Sequence, residues 1–150
     1  MKFHRSSLRI FLCAALIAGL SAAVVFASST WTYTESFREN GSVSSSSKSF
    51  DSGENLELDS VCKITLDPDT SSTEVTSYAA IKKTTWYGSK AVSSNTKSKS
   101  LYNSYDTEKT YTLSNTCVYT VKSDGKYFMY AKTSGASSAF YSSYTLKLSY

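Results

Sequence analysis

The stretch Leu56–Leu66, LELDSVCKITL, alternates between apolar and polar residues with a period of two. One parity holds Leu56, Leu58, Ser60, Cys62, Ile64 and Leu66, and the other includes Glu57, Asp59, Lys63 and Thr65. Successive side chains of a β-strand point to opposite faces, so this pattern predicts a strand with one buried face. The same pattern places Cys62 on that buried face, which raises the question of what the thiol meets there.

The N-terminus has the pattern of a secretory signal peptide. Lys2, Arg5 and Arg9 lie before or at the start of the apolar run IFLCAALIAGLSAAVVF, and residues suited to a signal peptidase end at Ala27. We therefore predict that residues 1–27 are a cleaved signal peptide and that residues 28–150 form a single secreted β domain. An uncleaved membrane anchor is the alternative, because the apolar run is nearly long enough to span a bilayer.

Cleavage after residue 27 changes the composition of the chain. It removes His4, the only histidine, and Cys13, which leaves Cys62 and Cys117 as the two cysteines. It also removes three basic residues and lowers the net charge from +4 to +1. The basic character of the full chain therefore belongs largely to its targeting segment and does not indicate a nucleic-acid partner.

Several further segments predict an all-β fold. Threonine, tyrosine and valine favour strands, whereas strong helix formers are scarce in the mature chain. Alternation predicts strands over 30–37 and 140–150, and the β-branched content of 73–88 favours a strand there over a helix. Asp67-Pro68-Asp69 is expected to end the strand that begins at Leu56, because proline has no N–H to donate. Segments 40–55 and 88–100 are rich in serine, lack a period and predict loops.

A hairpin is predicted around Asp124-Gly125, which lies between two alternating runs. If these two residues form the turn, Val121 lies opposite Phe128 and Tyr119 lies opposite Tyr130. The same register places Cys117 on the apolar face that carries Tyr119 and Val121.

Both cysteines of the mature chain therefore lie on apolar faces of strands in a protein predicted to be exported. This combination predicts a buried, inter-strand Cys62–Cys117 disulfide, which closes a loop of about 56 residues and contributes roughly 4 kcal/mol. A pair of free, buried thiols is the alternative. Two cysteines without a histidine do not complete a structural zinc site.

The predicted fold class is a small antiparallel β-sandwich with this disulfide between its sheets. The arrangement resembles the immunoglobulin-like sandwich in architecture only. Trp86 lies 24 residues after Cys62, farther than that family places its core tryptophan, and no tyrosine stands two residues before Cys117.

The mature chain lacks the residues on which many enzymes depend. Without histidine it has no Ser-His-Asp or Cys-His arrangement and no histidine metal site. Its glycines are isolated, so no phosphate-binding loop is present. The carboxylates of Glu57 and Asp59 alternate outward on a strand, as solubilising charges do. We predict no catalytic residue, no metal and no cofactor.

Charge is divided between the two halves of the mature chain. Nine acidic and three basic residues lie between Ser28 and Glu74, and three acidic and ten basic residues lie between Val75 and Tyr150. We favour the interpretation that the halves interleave in the fold and neutralise each other. The alternative is one basic patch that meets cell-wall polymer or lipid headgroups; its members are Lys82, Lys83, Lys90, Lys97 and Lys99.

Aromatic residues flank this basic segment and complete a candidate binding face. The face comprises the five lysines together with Trp86, Tyr87, Tyr102 and Tyr105, and Tyr78 lies nearby. Exposed aromatic side chains beside polar loops are typical of sugar-binding and partner-binding faces. The alternative for each of them, and for Trp86 in particular, is a place in the core.

The sequence alone supports only a ranking of functions. The first hypothesis is a secreted, non-catalytic binding or surface-interaction module for a cell-surface glycan, an anionic envelope polymer or another protein. The second is a secreted bacteriocin or toxin that acts on the envelope of other cells, and only this hypothesis involves contact with a membrane. An extracellular enzyme or inhibitor ranks third. Nucleic acid is not an expected partner, because the segment Lys90–Lys99 has no aromatic residue to stack on a base.

Overall fold

The computed structural model describes residues 29–38, 40–135 and 140–150. The predicted signal peptide lies outside these residues. In the described part of the chain the regular structure consists of nine β-strands. They are β1 (Thr30–Arg38), β2 (Gly41–Ser44), β3 (Lys48–Phe50), β4 (Asn55–Leu66), β5 (Thr73–Thr85), β6 (Gly88–Leu101), β7 (Lys109–Thr120), β8 (Gly125–Gly135) and β9 (Phe140–Ser149). Among the described residues, no helix has the length and apolar character needed to cross a membrane.

The strands form two antiparallel sheets, which confirms the predicted all-β class. Sheet 1 has the order β1-β9-β4-β7, and sheet 2 has the order β2-β8-β5-β6, with β3 also paired to β8. Buried side chains of both sheets form one hydrophobic core, as in a β-sandwich. Polar contacts also join the sheets: the Asn115 amide of β7 donates to the Ser77 carbonyl oxygen of β5 at 3.2 Å.

The structure of β4 confirms the predicted alternation of buried and exposed residues. Its inward parity is buried throughout, with Leu56, Leu58, Cys62, Ile64 and Leu66 all 0% exposed. Strand β4 lies between β7 and β9, so its backbone is paired on both sides. It ends at Leu66, directly before Asp67-Pro68, as the sequence predicted.

The predicted strands at both ends of the domain and the ambiguous segment after Thr73 are also confirmed. Strand β9 buries Phe140, Tyr144, Leu146 and Leu148, which share one parity. Strands β1 and β5 cover the segments predicted from 30–37 and 73–88, although β5 ends at Thr85.

The structure corrects the prediction of a Cys62–Cys117 disulfide, because both cysteines are free and buried. Cys62 of β4 pairs with Leu113 of β7, and Cys117 of β7 pairs with Leu58 of β4. The two cysteines therefore lie on neighbouring strands of the same sheet, four residues apart along the strands. That offset is roughly 13 Å at about 3.3 Å per residue, whereas the Cα atoms of a disulfide are about 4.4–6.8 Å apart.

The two thiols have polar neighbours in the core. The Cys117 thiol donates to the Ala79 carbonyl oxygen at 3.4 Å, and the Cys62 sulfur lies 3.7 Å from the Thr133 hydroxyl. Burial raises the pKa of Cys62 and raises the pKa of Cys117 to about 11. Both groups are therefore neutral thiols near neutral pH, and neutral thiols are poor nucleophiles.

Titration with a thiol reagent checks this correction. We expect the denatured, unreduced protein to react at two thiols per chain of residues 28–150, and the native protein to react much more slowly because both sulfurs are buried. A sample reduced before denaturation is the control and should give the same count. Absence of free thiol in the denatured, unreduced sample would contradict this correction and show that the disulfide forms.

The predicted hairpin at Asp124-Gly125 is wrong. Strand β7 pairs with β4 in sheet 1, whereas β8 pairs with β5, β2 and β3 in sheet 2. Tyr119 lies opposite Leu56, and Phe128 lies opposite Lys82. The turn therefore carries the chain from one sheet to the other, because each flanking strand gains more pairing and burial with other strands.

Two predicted loops contain strands. Strands β2 and β3 lie within the segment 40–55 and pair with β8. The segment 88–100 forms nearly all of β6, which pairs with β5 along its length. The likeness to the immunoglobulin architecture stays a prediction, and the disulfide that motivated it is not seen in the structure.

Candidate functional site

The predicted binding residues lie along one structural unit, the antiparallel hairpin formed by β5 and β6. The structure divides them between its two ends. Lys82, Lys83, Trp86, Tyr87 and Lys90 lie at the turn, which we call the hairpin tip. Lys97 and Lys99 lie near the other end of β6, and Tyr102 and Tyr105 follow that strand. Lys90 and Lys97 are seven residues apart on one strand, which is roughly 23 Å. The predicted single face is therefore two separate clusters.

At the end of the hairpin tip a two-residue connection, Trp86-Tyr87, joins the paired residues Thr85 and Gly88. Gly88 has a φ of 137°, a conformation that residues with a Cβ rarely adopt, so glycine allows the chain to turn back here. Trp86 is 94% exposed and Tyr87 is 70% exposed. The alternative that placed Trp86 in the core is wrong.

The two aromatic rings at the hairpin tip contact each other. Their centroids are 5.0 Å apart and their planes are nearly perpendicular, an arrangement that aromatic pairs favour. The connection presents an apolar projection to the solvent.

Lysine side chains surround the base of the hairpin tip. The ammonium group of Lys83 donates to the Ser123 hydroxyl at 2.6 Å and to the Asp124 carbonyl oxygen at 3.1 Å. These bonds connect the tip to the turn between β7 and β8. The Lys82 ammonium lies 3.5 Å from the centroid of the Tyr130 ring, and Lys90 is exposed on the opposite strand. Lys82 and Lys83 thus have internal contacts, whereas Lys90 faces the solvent.

The second cluster, at the far end of β6, is arranged around a lysine that sequence reasoning did not select. The Lys109 ammonium lies 4.8 Å from the ring centroid of Tyr102, 5.3 Å from that of Tyr105 and 5.2 Å from that of Tyr111. The Tyr111 hydroxyl also donates to the Tyr102 carbonyl oxygen at 2.6 Å. A hydrogen bond with Tyr111 raises the pKa of Lys109. The rings of these three tyrosines therefore already contact a cationic side chain of the protein itself.

The outer face of sheet 2 carries a further row of aromatic and cationic side chains. Tyr78 of β5 packs edge-on against Tyr130 of β8 with their centroids 6.1 Å apart, and the Lys132 ammonium lies 5.5 Å from the Tyr78 ring. Sequence reasoning missed Tyr130 because aromatic residues occur on both parities of β8. The available signal was that Tyr130 shares its parity with Lys126 and Lys132, because two lysines on one parity indicate an outward face.

The acidic and basic halves of the chain interleave, because β1 and β4 pair with β7 and β9 of the second half, but the charges of the strands are divided unequally between the two sheets. The strands of sheet 2 contain eight lysines and one carboxylate, that of Glu74, for a net charge of +7. The strands of sheet 1 contain four basic and three acidic residues, for a net charge of +1. The strands of sheet 2 are therefore more cationic than those of sheet 1, and the hairpin tip lies at one end of sheet 2.

Carboxylates do not gather with other potential metal ligands in the described ranges. No group of three or more histidine, cysteine, aspartate or glutamate side chains capable of holding a metal ion occurs there. Asp59 accepts a hydrogen bond from the Thr116 hydroxyl at 2.9 Å on the outer face of sheet 1. Asp67 forms an ion pair with Arg38 at 3.5 Å. These two carboxylates contribute to local surface structure.

Comparisons with known proteins show no family. No protein-family model matches the chain, and no curated protein matches it. Among solved structures, the chain is similar to the structure of infectious bursal disease virus Gx strain at 12% identity and a TM-score of 0.48, covering 81% of this chain and 33% of that one. It is also similar to the VP2 subviral particle of infectious bursal disease virus at 12% identity and a TM-score of 0.44, covering 83% of this chain and 33% of that one. The chain thus spans about a third of the length of these proteins.

Proposed function

We propose that this protein is a secreted, non-catalytic binding module that attaches to an extracellular surface through the hairpin tip. The observation that carries the proposal is the 94% exposure of Trp86. Tryptophan buries roughly 150–250 Å² when it is covered, which corresponds to about 4–6 kcal/mol of gross hydrophobic free energy. A partner that covers Trp86 gains much of this free energy, minus the entropic cost of association.

The preorganisation of the hairpin tip supports a role in binding. The bonds from Lys83 to the neighbouring turn fix the base of the hairpin tip before a partner arrives. Restricting a binding element in advance reduces the entropy lost on association. Tryptophan and tyrosine are also enriched among residues that dominate binding energies.

The chemistry of the chain supports the non-catalytic part of the proposal. The only histidine is His4, within the predicted signal peptide. The two cysteines are buried, and their raised pKa values disfavour the reactive thiolate form. The exposed residues of the hairpin tip are aromatic rings and ammonium groups, which recognise surfaces by contact and charge. Secretion rests on the predicted signal peptide.

A depletion assay tests the proposal. The secreted protein, recovered from the medium of cells that express the full chain, is mixed with a panel of intact bacteria and insoluble envelope glycans, and the fraction left in solution is measured. We expect depletion by at least one surface and its loss in Trp86→Ala. Tyr105→Ala is the matched control, because Tyr105 is 60% exposed but lies at the far end of β6.

Two results of this assay would contradict the proposal. One is equal depletion of the wild type and Trp86→Ala, and the other is no depletion of the wild type by any surface. Circular dichroism of each variant ensures that lost binding does not reflect lost folding. Viable counts of the same bacteria test the toxin alternative, and a dose-dependent fall in counts would favour it over a passive binding module.

A further inference from the structure

We infer that the hairpin tip is a peripheral membrane anchor that enters the interfacial layer of an anionic lipid bilayer. This inference rests on the proposed function and names the surface that the module contacts. The shape of the tip, the chemistry of its two aromatic residues and the charge behind them support it independently.

The aromatic turn of the hairpin tip lies past the last paired residues of β5 and β6. Thr85 pairs with Gly88, and Trp86 and Tyr87 lie outside this pair. Strand β8 runs to Gly125, which lies level with Thr85 because Tyr127 pairs with Lys83, so only the turn itself lies beyond the strands of sheet 2. The exposed rings of Trp86 and Tyr87 are therefore the part of the hairpin that enters the boundary between headgroups and acyl chains, where interfacial segments bury their apolar side roughly 5–10 Å deep.

The aromatic residues of the hairpin tip suit an interface between water and lipid. Tryptophan and tyrosine combine an apolar ring with a polar N–H or O–H group and are enriched at both surfaces of membranes. Trp86 and Tyr87 stand on a convex turn. A sugar or other small ligand is typically bound in a concave site with several converging polar groups. Three surface depressions of about 220, 380 and 420 Å³ have no tip residue in their lining. The geometry of the tip therefore favours a bilayer over a glycan.

The positive charge of the hairpin favours binding to anionic lipid over neutral lipid. Between Val75 and Tyr105 the chain has five lysines and no aspartate or glutamate. Lys83 and Lys90 are directly paired across the two strands, only two pairs behind Thr85 and Gly88. Like charges in such a pair destabilise a sheet in water, and a negative surface relieves their repulsion. The Asp124 carboxylate, in the adjoining connection between β7 and β8, accepts a hydrogen bond from the Ser52 N–H at 2.8 Å and keeps its negative charge, so the lysines of the hairpin must outweigh it at an anionic surface.

Sedimentation with lipid vesicles tests the inference. The secreted protein is mixed with vesicles of phosphatidylcholine alone or of phosphatidylcholine with phosphatidylglycerol at low salt. We expect binding to the anionic vesicles to be at least about tenfold tighter than to the neutral ones, and to weaken as salt is added. Trp86→Ala should weaken this binding at least about tenfold, and Trp86→Phe should weaken it less.

A pair of charge reversals separates a local effect from the net charge of the protein. Lys90→Glu and Lys97→Glu make the same change on the same exposed strand, near the tip and far from it. In about 0.1 M salt, where the Debye length is about 10 Å, we expect Lys90→Glu to weaken vesicle binding several-fold more than Lys97→Glu, because only Lys90 of the two lies within that distance of the inserted tip. Equal effects of the two reversals would overturn the assignment of the tip as the contact.

The outcomes distinguish failure of this inference from failure of the proposed function. If the protein does not bind anionic vesicles but still binds a glycan or cell surface through Trp86, the membrane anchor is overturned and the proposed binding module is supported. If Trp86→Ala changes no binding to vesicles, cells or glycans, both are overturned. Release of a dye trapped inside the vesicles would overturn peripheral anchoring in favour of membrane disruption.

Discussion

Replacing Leu58 by alanine is expected to lower the free energy of unfolding by about 2–5 kcal/mol. Leu58 is 0% exposed and lies in β4, opposite Cys117 of β7 and Leu148 of β9. Strands on both sides fix its backbone, so the site has little freedom to collapse around the missing methyl groups. Urea unfolding of the wild type and the variant measures the difference.

Val61→Ala in the same strand is the matched control. Val61 belongs to the outward parity of β4 and is only partly buried. We expect its replacement to cost less than about 1 kcal/mol. A shift of one residue in the register of β4 would exchange the faces of these two side chains. Equal costs for the two variants would therefore contradict the register of sheet 1.

Replacing Tyr144 by phenylalanine is expected to lower the free energy of unfolding by about 1–3 kcal/mol, because it leaves buried polar groups without a partner. The Tyr144 hydroxyl donates to the Lys132 carbonyl oxygen at 2.7 Å and accepts from the Thr133 hydroxyl at 3.0 Å. It also lies 2.9 Å from the Ser77 hydroxyl, and so joins strands of both sheets. Tyr141→Phe, at a 43% exposed residue of the same strand, is the control and should change stability by less than about 0.5 kcal/mol.

The difference between the wild type and Tyr144→Phe is expected to shrink in alkali. Burial raises the pKa of Tyr144 above its ordinary value of 10.0, so the folded protein keeps the phenol proton at a pH where the unfolded chain loses it. The unfolded state then binds fewer protons, and the stability of the wild type falls as the pH rises above about 10. Cys62 and Cys117 contribute a similar loss from about pH 9, but they do so in both proteins. A stability gap that widens above pH 10 would contradict the buried, neutral state of this hydroxyl.

Much of the fold follows from side-chain parity. In β4 and β9 every second residue is apolar, apart from Ser60 and Ser142, because one face covers the core and the other meets water, and this alternation is visible in the sequence. Strand β6 could not be found in this way. It is an edge strand whose residues are mostly exposed on both faces, so burial imposes no alternation on it and its serines and lysines resemble a loop.

The parity of side chains does not predict which distant strands pair with each other. The sequence correctly predicted that Cys62 and Cys117 face the core, but parity does not state which sheet a strand joins or which residue stands opposite. Both cysteines belong to sheet 1, where they are offset by four residues along the paired strands. Likewise, Asp124-Gly125 lies where one strand ends and the next begins, but the bend itself is at 122–123, and the same local signal serves a hairpin and a crossing between sheets. These features depend on contacts between segments far apart in the chain.

The candidate site was predicted in part. Every residue of the hairpin tip was selected from the sequence, because aromatic and basic residues cluster around Gly88. The exposure of Trp86 was not predicted, since the type of a residue does not reveal whether it occupies a turn or a core. The glycine that follows Trp86-Tyr87, between a segment rich in threonine and one rich in serine, was the available signal for a turn there. Lys109 was missed because its tyrosine neighbours are brought together only by the fold.

The central claim is that the exposed Trp86 at the hairpin tip is the contact through which the protein binds a surface. The most direct test is the ratio of dissociation constants for Trp86→Ala and Tyr105→Ala on the surface that depletes the wild type most strongly. We predict that Trp86→Ala binds at least about tenfold more weakly than the wild type, which is about 1.4 kcal/mol, and that Tyr105→Ala binds as the wild type does. Equal affinities for the two folded variants would contradict the claim.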